Sequence, residues 1–311
     1  MKALCVSGGG SMGAWAGGIV EYLKDIGYDW DCYYGTSTGS LITPLVATNE
    51  VKKLKVAYTS ITPNDIFLFN PFKVYKSKNG EFKFKLDHLN IIKNFIKNNT
   101  LTLGDSSNLK TTIKKFLTKE EFTRIENYNK NVTVSVCNLT TEELELKSSK
   151  DETYEDFIDW IMASSSATPF MSLIKKNGYE YADGGILRFI PIVEAVESGA
   201  NEIDAIVLME SYAKTNIEKI RNVLHLISKL IKILLTNRKK EDVDLRNIQR
   251  VIKDDREIIL NLYYLPRKIT NNPYIFDSEI MKSWWEESYE RAKLGPDQIY
   301  KISSNLINKL K

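Results

Sequence analysis

Two glycine turns near the N-terminus constrain the fold of this chain more than any other feature. Gly8-Gly9-Gly10-Ser11-Met12-Gly13 follows the apolar run Ala3-Leu4-Cys5-Val6, and Gly35-Thr36-Ser37-Thr38-Gly39 follows a run from about Asp31 to Tyr34. A short unbroken apolar run is the pattern of a strand buried on both faces. Ser11 stands where a capping residue would start a helix through about Lys24, closed by Gly27. Ala14, Ala16, Gly17 and Gly18 leave part of that helix thin, which suits close packing on a sheet. Thr38 to Thr48 reads as a second helix, with a kink expected at Pro44. The resulting order, strand-turn-helix twice over, is that of a parallel α/β sheet.

The sequence changes character from residue 52 to 130, where Lys and Asn dominate and Phe67, Phe69, Phe72, Tyr75, Phe82 and Phe84 are scattered. Asn79-Gly80 between alternating stretches suggests a hairpin, and amphipathic helices are expected near Leu89–Lys97 and Leu109–Leu117. This block reads as a cap inserted over the sheet. Strands resume at Val132–Cys137, with a partner at Glu143–Lys147. A helix follows from about Tyr154 to Met162, then the small-residue run Ala163 to Phe170, and a strand from Tyr179 to Asp183 that ends in Gly184-Gly185. Further strands are expected at Ile203–Met209 and Ile258–Leu265, and a helix over Ser278–Leu294 carries Trp284-Trp285, read as core. The chain as a whole reads as one domain over 1–311. Its core covers about 1–50 and 130–210, the cap about 52–130, and a helical and strand extension about 211–311.

Gly8-x-Gly10-x-x-Gly13 has the spacing of a dinucleotide-binding turn, which also requires an acidic ribose ligand at the end of the next strand. Asp29 and Asp31 lie at the start of that strand instead, and its end carries the serine turn. Gly35-x-Ser37-x-Gly39 between a strand and a helix has the form of a nucleophile elbow. Parallel neighbours bring their C-terminal ends side by side, so backbone N–H groups near Gly9 and Gly10 can face Ser37 as an oxyanion hole. A serine nucleophile needs a proton acceptor. Only His88 and His225 are present, one in the cap-like block and one in an amphipathic stretch, and both read as surface or structural residues. Asp183, ahead of two glycines that let backbone approach closely, is the best remaining base.

These elements, in this order, resemble the patatin-like phospholipases, serine acyl hydrolases with a Ser–Asp dyad. The resemblance spans about residues 1–210. It implies a three-layer α/β/α fold with a mainly parallel sheet and a helical cap, with Ser37 as nucleophile and Asp183 as general base. It also implies an oxyanion hole in Gly8, Gly9, Gly10, Ser11, Met12 and Gly13, with Gly9 and Gly10 contributing amides. Gly35, Thr36, Thr38 and Gly39 form the elbow, and Gly184 and Gly185 support the base. Met12 departs from the basic residue many bacterial members carry there. The activity implied is hydrolysis of a phospholipid or other lipid ester through an acyl-enzyme, with no cofactor and no metal. A catalytically silent lipid- or partner-binding module on the same fold, and a dinucleotide-binding protein, are the alternatives.

Residues 214–240 carry eight basic side chains against Glu218, with Ile217, Ile220, Leu224, Ile227, Ile231 and Leu234 at helical spacing. A basic amphipathic helix lies either packed on the core with a solvated basic face or on an anionic membrane; the first is the commoner case, and the second, a peripheral membrane contact through 214–240, is the alternative that a lipid hydrolase would use. The net charge is only +3 over 311 residues, and no nucleic-acid partner is expected. The N-terminus has no apolar segment of signal-peptide length and no run spans a bilayer, so the location expected is cytoplasmic. Cys5, Cys32 and Cys137 read as small apolar fillers.

Overall fold

The computed structural model describes residues 1–76, 82–98, 100–211, 220, 223–253, 256–270 and 273–311. The first half runs β1 (Lys2–Val6), α1 (Gly13–Asp25), β2 (Cys32–Thr36), α2 (Thr38–Ala47), α3 (Val51–Ser60), β3 (Phe72–Lys76), β4 (Phe82–Leu86), α4 (His88–Asn98), α5 (Asn108–Phe116) and α6 (Lys119–Asn127). Then come β5 (Asn131–Asn138), β6 (Glu143–Ser148), α7 (Tyr154–Ser164), β7 (Ile174–Lys176), β8 (Tyr179–Asp183), α8 (Ile192–Glu197) and β9 (Glu202–Glu210). The chain closes with α9 (Val223–Asp242), α10 (Leu245–Arg250), β10 (Ile258–Leu265), α11 (Ser278–Ala292), β11 (Gln298–Ile302) and β12 (Ile307–Lys309).

Among the described residues the main sheet has ten strands in the order β12-β11-β10-β9-β1-β2-β5-β8-β7, with β6 also paired to β5. Its centre, β10-β9-β1-β2-β5, is parallel, and the outer strands are antiparallel. The side chains of β1 alternate between two cores, because successive strand residues face opposite sides. Leu4 and Val6 join the core under α1, α2 and α7. Ala3 and Cys5 join the one that holds α8 and α10. Helices therefore cover both faces, and the expected three-layer α/β/α arrangement with a mainly parallel sheet is borne out.

The thin stretch of α1 meets α11. A Cβ built on Gly17 would lie 2.0 Å from the Trp285 ring, so that helix pair could not close with any larger residue there. Trp285 is fully buried and its indole N–H donates to Glu21 at 2.6 Å, while Lys55 of α3 pairs with the same carboxylate at 2.8 Å. The two tryptophans complete a core, as expected. The block read as a cap contributes α3 to this helical layer; the rest supplies the β3–β4 hairpin and α4 to α6. The Asn79-Gly80 turn lies outside the described residues.

Two local expectations are corrected. Ser11 does not cap α1: a 3-10 turn over Gly10–Met12 comes first, α1 starts at Gly13, and the Ser11 hydroxyl is buried without a hydrogen-bond partner among the described residues. The cause is Gly10, whose φ of 57° turns the chain before the helix can begin. The second strand starts at Cys32 and extends to Thr36, into the glycine-serine turn itself. All three cysteines are buried and unpaired. Of the basic stretch 214–240, residues 214–219, 221 and 222 lie outside the described residues, as do the side chains of 223–232. No described helix is long and apolar enough to cross a membrane.

Candidate active site

Ser37 stands between β2 and α2 with φ 54° and ψ −121°. A non-glycine residue held at positive φ stores about 1–3 kcal/mol of strain and persists only where its surroundings over-determine it. Here the Ser37 amide donates to the Ser164 hydroxyl at 3.0 Å. Its carbonyl accepts from the Ser40 amide at 2.9 Å, the Ser40 hydroxyl at 2.6 Å and the Ser165 hydroxyl at 3.1 Å. A Cβ on Gly39 would lie 2.1 Å from the Val6 carbonyl oxygen, so α2 can cross the end of β1 only with glycine at that position.

Strand register brings Asp183 to the serine. Thr36 of β2 lies opposite Ser135 of β5, and the next β5 residue, Val136, lies opposite Asp183 of β8. Ser37 and Asp183 thus flank β5 at one level, where the Ser37 hydroxyl acts to hold the Asp183 pKa down. The Asp183 carboxylate accepts from the Gly185 amide at 2.7 Å. The Asp183 amide donates to the Ser166 carbonyl at 3.0 Å. One small-residue run, Ser164 to Ser166, therefore holds the backbones of both residues.

The Asp183 carboxyl is only 7% exposed. Burial pushes its pKa up to about 6, against the opposing effects of the Ser37 hydroxyl, the Gly185 amide and the positive charge of Lys239. Such a group is ionised at neutral pH yet has a proton affinity close to ambient, the condition that suits a general base. His88 is exposed at the start of α4.

The glycine loop lies alongside. A Cβ on Gly8 would sit 3.2 Å from the Ser37 Cβ. The Gly8 amide donates to the Phe189 carbonyl, Ser11 to the Pro273 carbonyl, Met12 to Gly9, and Gly13 to Gly10 and Ser11. The amides of Gly9 and Gly10 are left without an acceptor among the described residues. Of the six residues in the turn, these two have donors to offer a ligand.

Several neighbours of this site carry no sequence signal. The Phe189 ring stands within 3.7 Å of the Gly8 Cβ position. The Lys239 ammonium, near the end of α9, lies 4.4 Å over that ring. Burial lowers the Lys239 pKa, and the Asp183 carboxylate opposes the shift. Asp242, one turn on, accepts from the Phe189 amide and pairs with Arg188 at 2.9 Å, which ties α9 to the segment after Asp183. Phe72 from β3, Phe170 and Tyr274 form a ring cluster with centroids 4.9–5.8 Å apart, and Tyr274 feels the Asp183 charge. Lys239, Asp242 and Tyr274 come from distant parts of the chain, where spacing along the sequence says nothing about contact.

A family model described as patatin-like phospholipase matches residues 4–196, the span from β1 through α8 that contains both glycine turns, the serine run and Asp183. Among solved structures, that of VipD from Legionella pneumophila is similar at 13% sequence identity and a TM-score of 0.47, covering 97% of this chain and 68% of the other. No curated protein sequence matches the chain.

Proposed function

The chain belongs to the patatin-like phospholipase family, and from that premise we propose that it hydrolyses the acyl ester of a lipid through a Ser37–Asp183 dyad. The observation that carries this reading is the strand register that sets Ser37 and Asp183 on either side of β5, Asp183 being a buried carboxylate whose pKa is about 6 and is held down by the Ser37 hydroxyl.

In the first half-reaction Ser37 Oγ bonds to the ester carbonyl carbon while its proton passes to Asp183. The carbonyl oxygen takes up the electron pair and accepts from the Gly9 and Gly10 amides; one such donor contributes roughly 3–4 kcal/mol to the transition state. The tetrahedral species collapses, the C–O bond to the alcohol breaks, and Asp183 returns the proton to that alcohol. Water then attacks the acyl-serine, Asp183 takes its proton, and collapse releases the fatty acid and restores the Ser37 hydroxyl. The strained elbow keeps Oγ proud of the sheet, so no rearrangement precedes attack.

The test is fatty-acid release from a phospholipid by the purified chain, compared with Ser37→Ala. Release is expected from the parent alone, with both proteins folded by circular dichroism. Comparable release by Ser37→Ala contradicts the proposal.

A further inference from the structure

Helix α4 is oriented contrary to its chemistry. Asn94 is fully buried and its amide donates to the Thr102 carbonyl at 3.1 Å, and Asp87, just before the helix, is buried against Lys73. The outer face instead carries Leu89, Ile92 and Ile96, which are 66%, 54% and 80% exposed, with Phe95 beside them at 43%. Leu86 and Leu101, before and after the helix, are exposed as well. Isolated exposed apolar side chains need no explanation, but a continuous run of large ones on one helix marks a surface that something covers.

The charge around the face says what the cover is. α4 contains no acidic residue, and its exposed polar positions include Lys93 and Lys97. Lys85 of β4 is exposed too. Aliphatic and aromatic side chains bordered by ammonium groups match a boundary where acyl chains meet anionic headgroups. The same block reaches the candidate active site, because β3 places Phe72 in the ring cluster with Tyr274 and Phe170.

We infer that the outer face of α4 docks onto an anionic phospholipid bilayer, with Leu89, Ile92, Phe95 and Ile96 entering the acyl boundary and Lys93 and Lys97 meeting lipid phosphates. The inference rests on the lipid-hydrolase reading above for its choice of occupant. It differs from a contact through 214–240 in resting on an apolar face exposed among the described residues.

The test is co-sedimentation with unilamellar vesicles, of phosphatidylcholine alone or mixed with phosphatidylglycerol, using the chain carrying Ser37→Ala so that no lipid is consumed. The parent is expected to pellet with the phosphatidylglycerol vesicles. Adding Ile92→Ser and Ile96→Ser is expected to lower the partition coefficient at least roughly tenfold, with thermal unfolding unchanged because both side chains are already in water. Lys93→Glu with Lys97→Glu is expected to abolish the preference for phosphatidylglycerol. Unchanged partition in these variants, or no partition of the parent, overturns the surface. So does a parent whose self-association, not its vesicle binding, is lost on Ile92→Ser/Ile96→Ser, which would make a second copy the cover. Hydrolysis of a soluble ester by the wild-type chain without vesicle binding leaves the dyad standing and refutes only the surface. Vesicle binding without any hydrolysis does the reverse.

Discussion

Replacing Asp183 by Asn should abolish hydrolysis and at the same time stabilise the fold near neutral pH. Burial moves the Asp183 pKa from 3.8 to about 6, a shift of about two units, and at about 1.4 kcal/mol per unit the ionised carboxylate costs the native state about 3 kcal/mol. Asn keeps an oxygen for the Gly185 amide, and the shift already contains the favourable effects of Ser37 and Gly185 on the charged form, so a gain of about 1–3 kcal/mol is expected. Because the folded pKa lies above the unfolded one, the native chain holds a proton that the unfolded chain has released, and wild-type stability falls as pH rises through that interval. The advantage of Asp183→Asn is therefore full near pH 8 and shrinks towards zero near pH 4. Thermal unfolding at the two pH values reads it as a rise of about 2–6 °C at the higher one only. Asp204 is the control. It is also buried, with a pKa pushed up to about 6, but it lies near the start of β9, at the end of the parallel strands away from Ser37. Asp204→Asn should stabilise in the same direction and leave hydrolysis intact. A destabilised Asp183→Asn protein near pH 8, with Asp204→Asn stabilised, would refute the view that Asp183 is held ionised at a cost for its chemistry.

The remaining expectations concern the surroundings of the pair. Lys239→Met removes a positive charge that favours ionised Asp183, so the acid limb of the pH–kcat/KM profile should move to higher pH; a shift to lower pH would contradict the electrostatic role. Ser164→Ala removes the acceptor of the Ser37 amide and should lower kcat by about tenfold or more while costing about 1–2 kcal/mol in denaturant unfolding; unchanged kcat would show that the elbow keeps its geometry without this bond. Gly17→Val drives a branched side chain into Trp285 and should destabilise by more than about 3 kcal/mol, whereas a tolerant result would mean that α1 and α11 can part without cost.

The parts of the site legible in the sequence are those whose cause is local. Gly35 and Gly39 mark a backbone crossing, Gly10 marks a positive φ, and the scarcity of histidine directs attention to Asp183, so the serine and the carboxylate can be named without the fold. The small-residue run Ala163 to Phe170 stands out in the sequence, but not that its Ser164 and Ser165 brace Ser37 across more than a hundred residues, and nothing announces Pro273, whose carbonyl occupies the Ser11 amide. That engagement matters, since it separates two available amides from six candidate residues. The period of α4 is visible in its sequence, but periodicity gives two faces and does not say which is covered. The buried Asn94 and exposed Ile96 supply that answer only once the helix is docked. The 3-10 turn that displaces Ser11 from its capping position follows from the same Gly10 conformation that frees the amides.

The central claim is that Ser37 is an activated nucleophile, and the most direct measurement is intact-mass and peptide mapping after treatment with a fluorophosphonate. One adduct is expected on the wild-type chain, located at Ser37, with its formation following a single ionisation near pH 6 and lost in Asp183→Asn. A wild-type chain that takes no label, or a Ser37→Ala chain labelled as fast as wild type, would contradict the dyad.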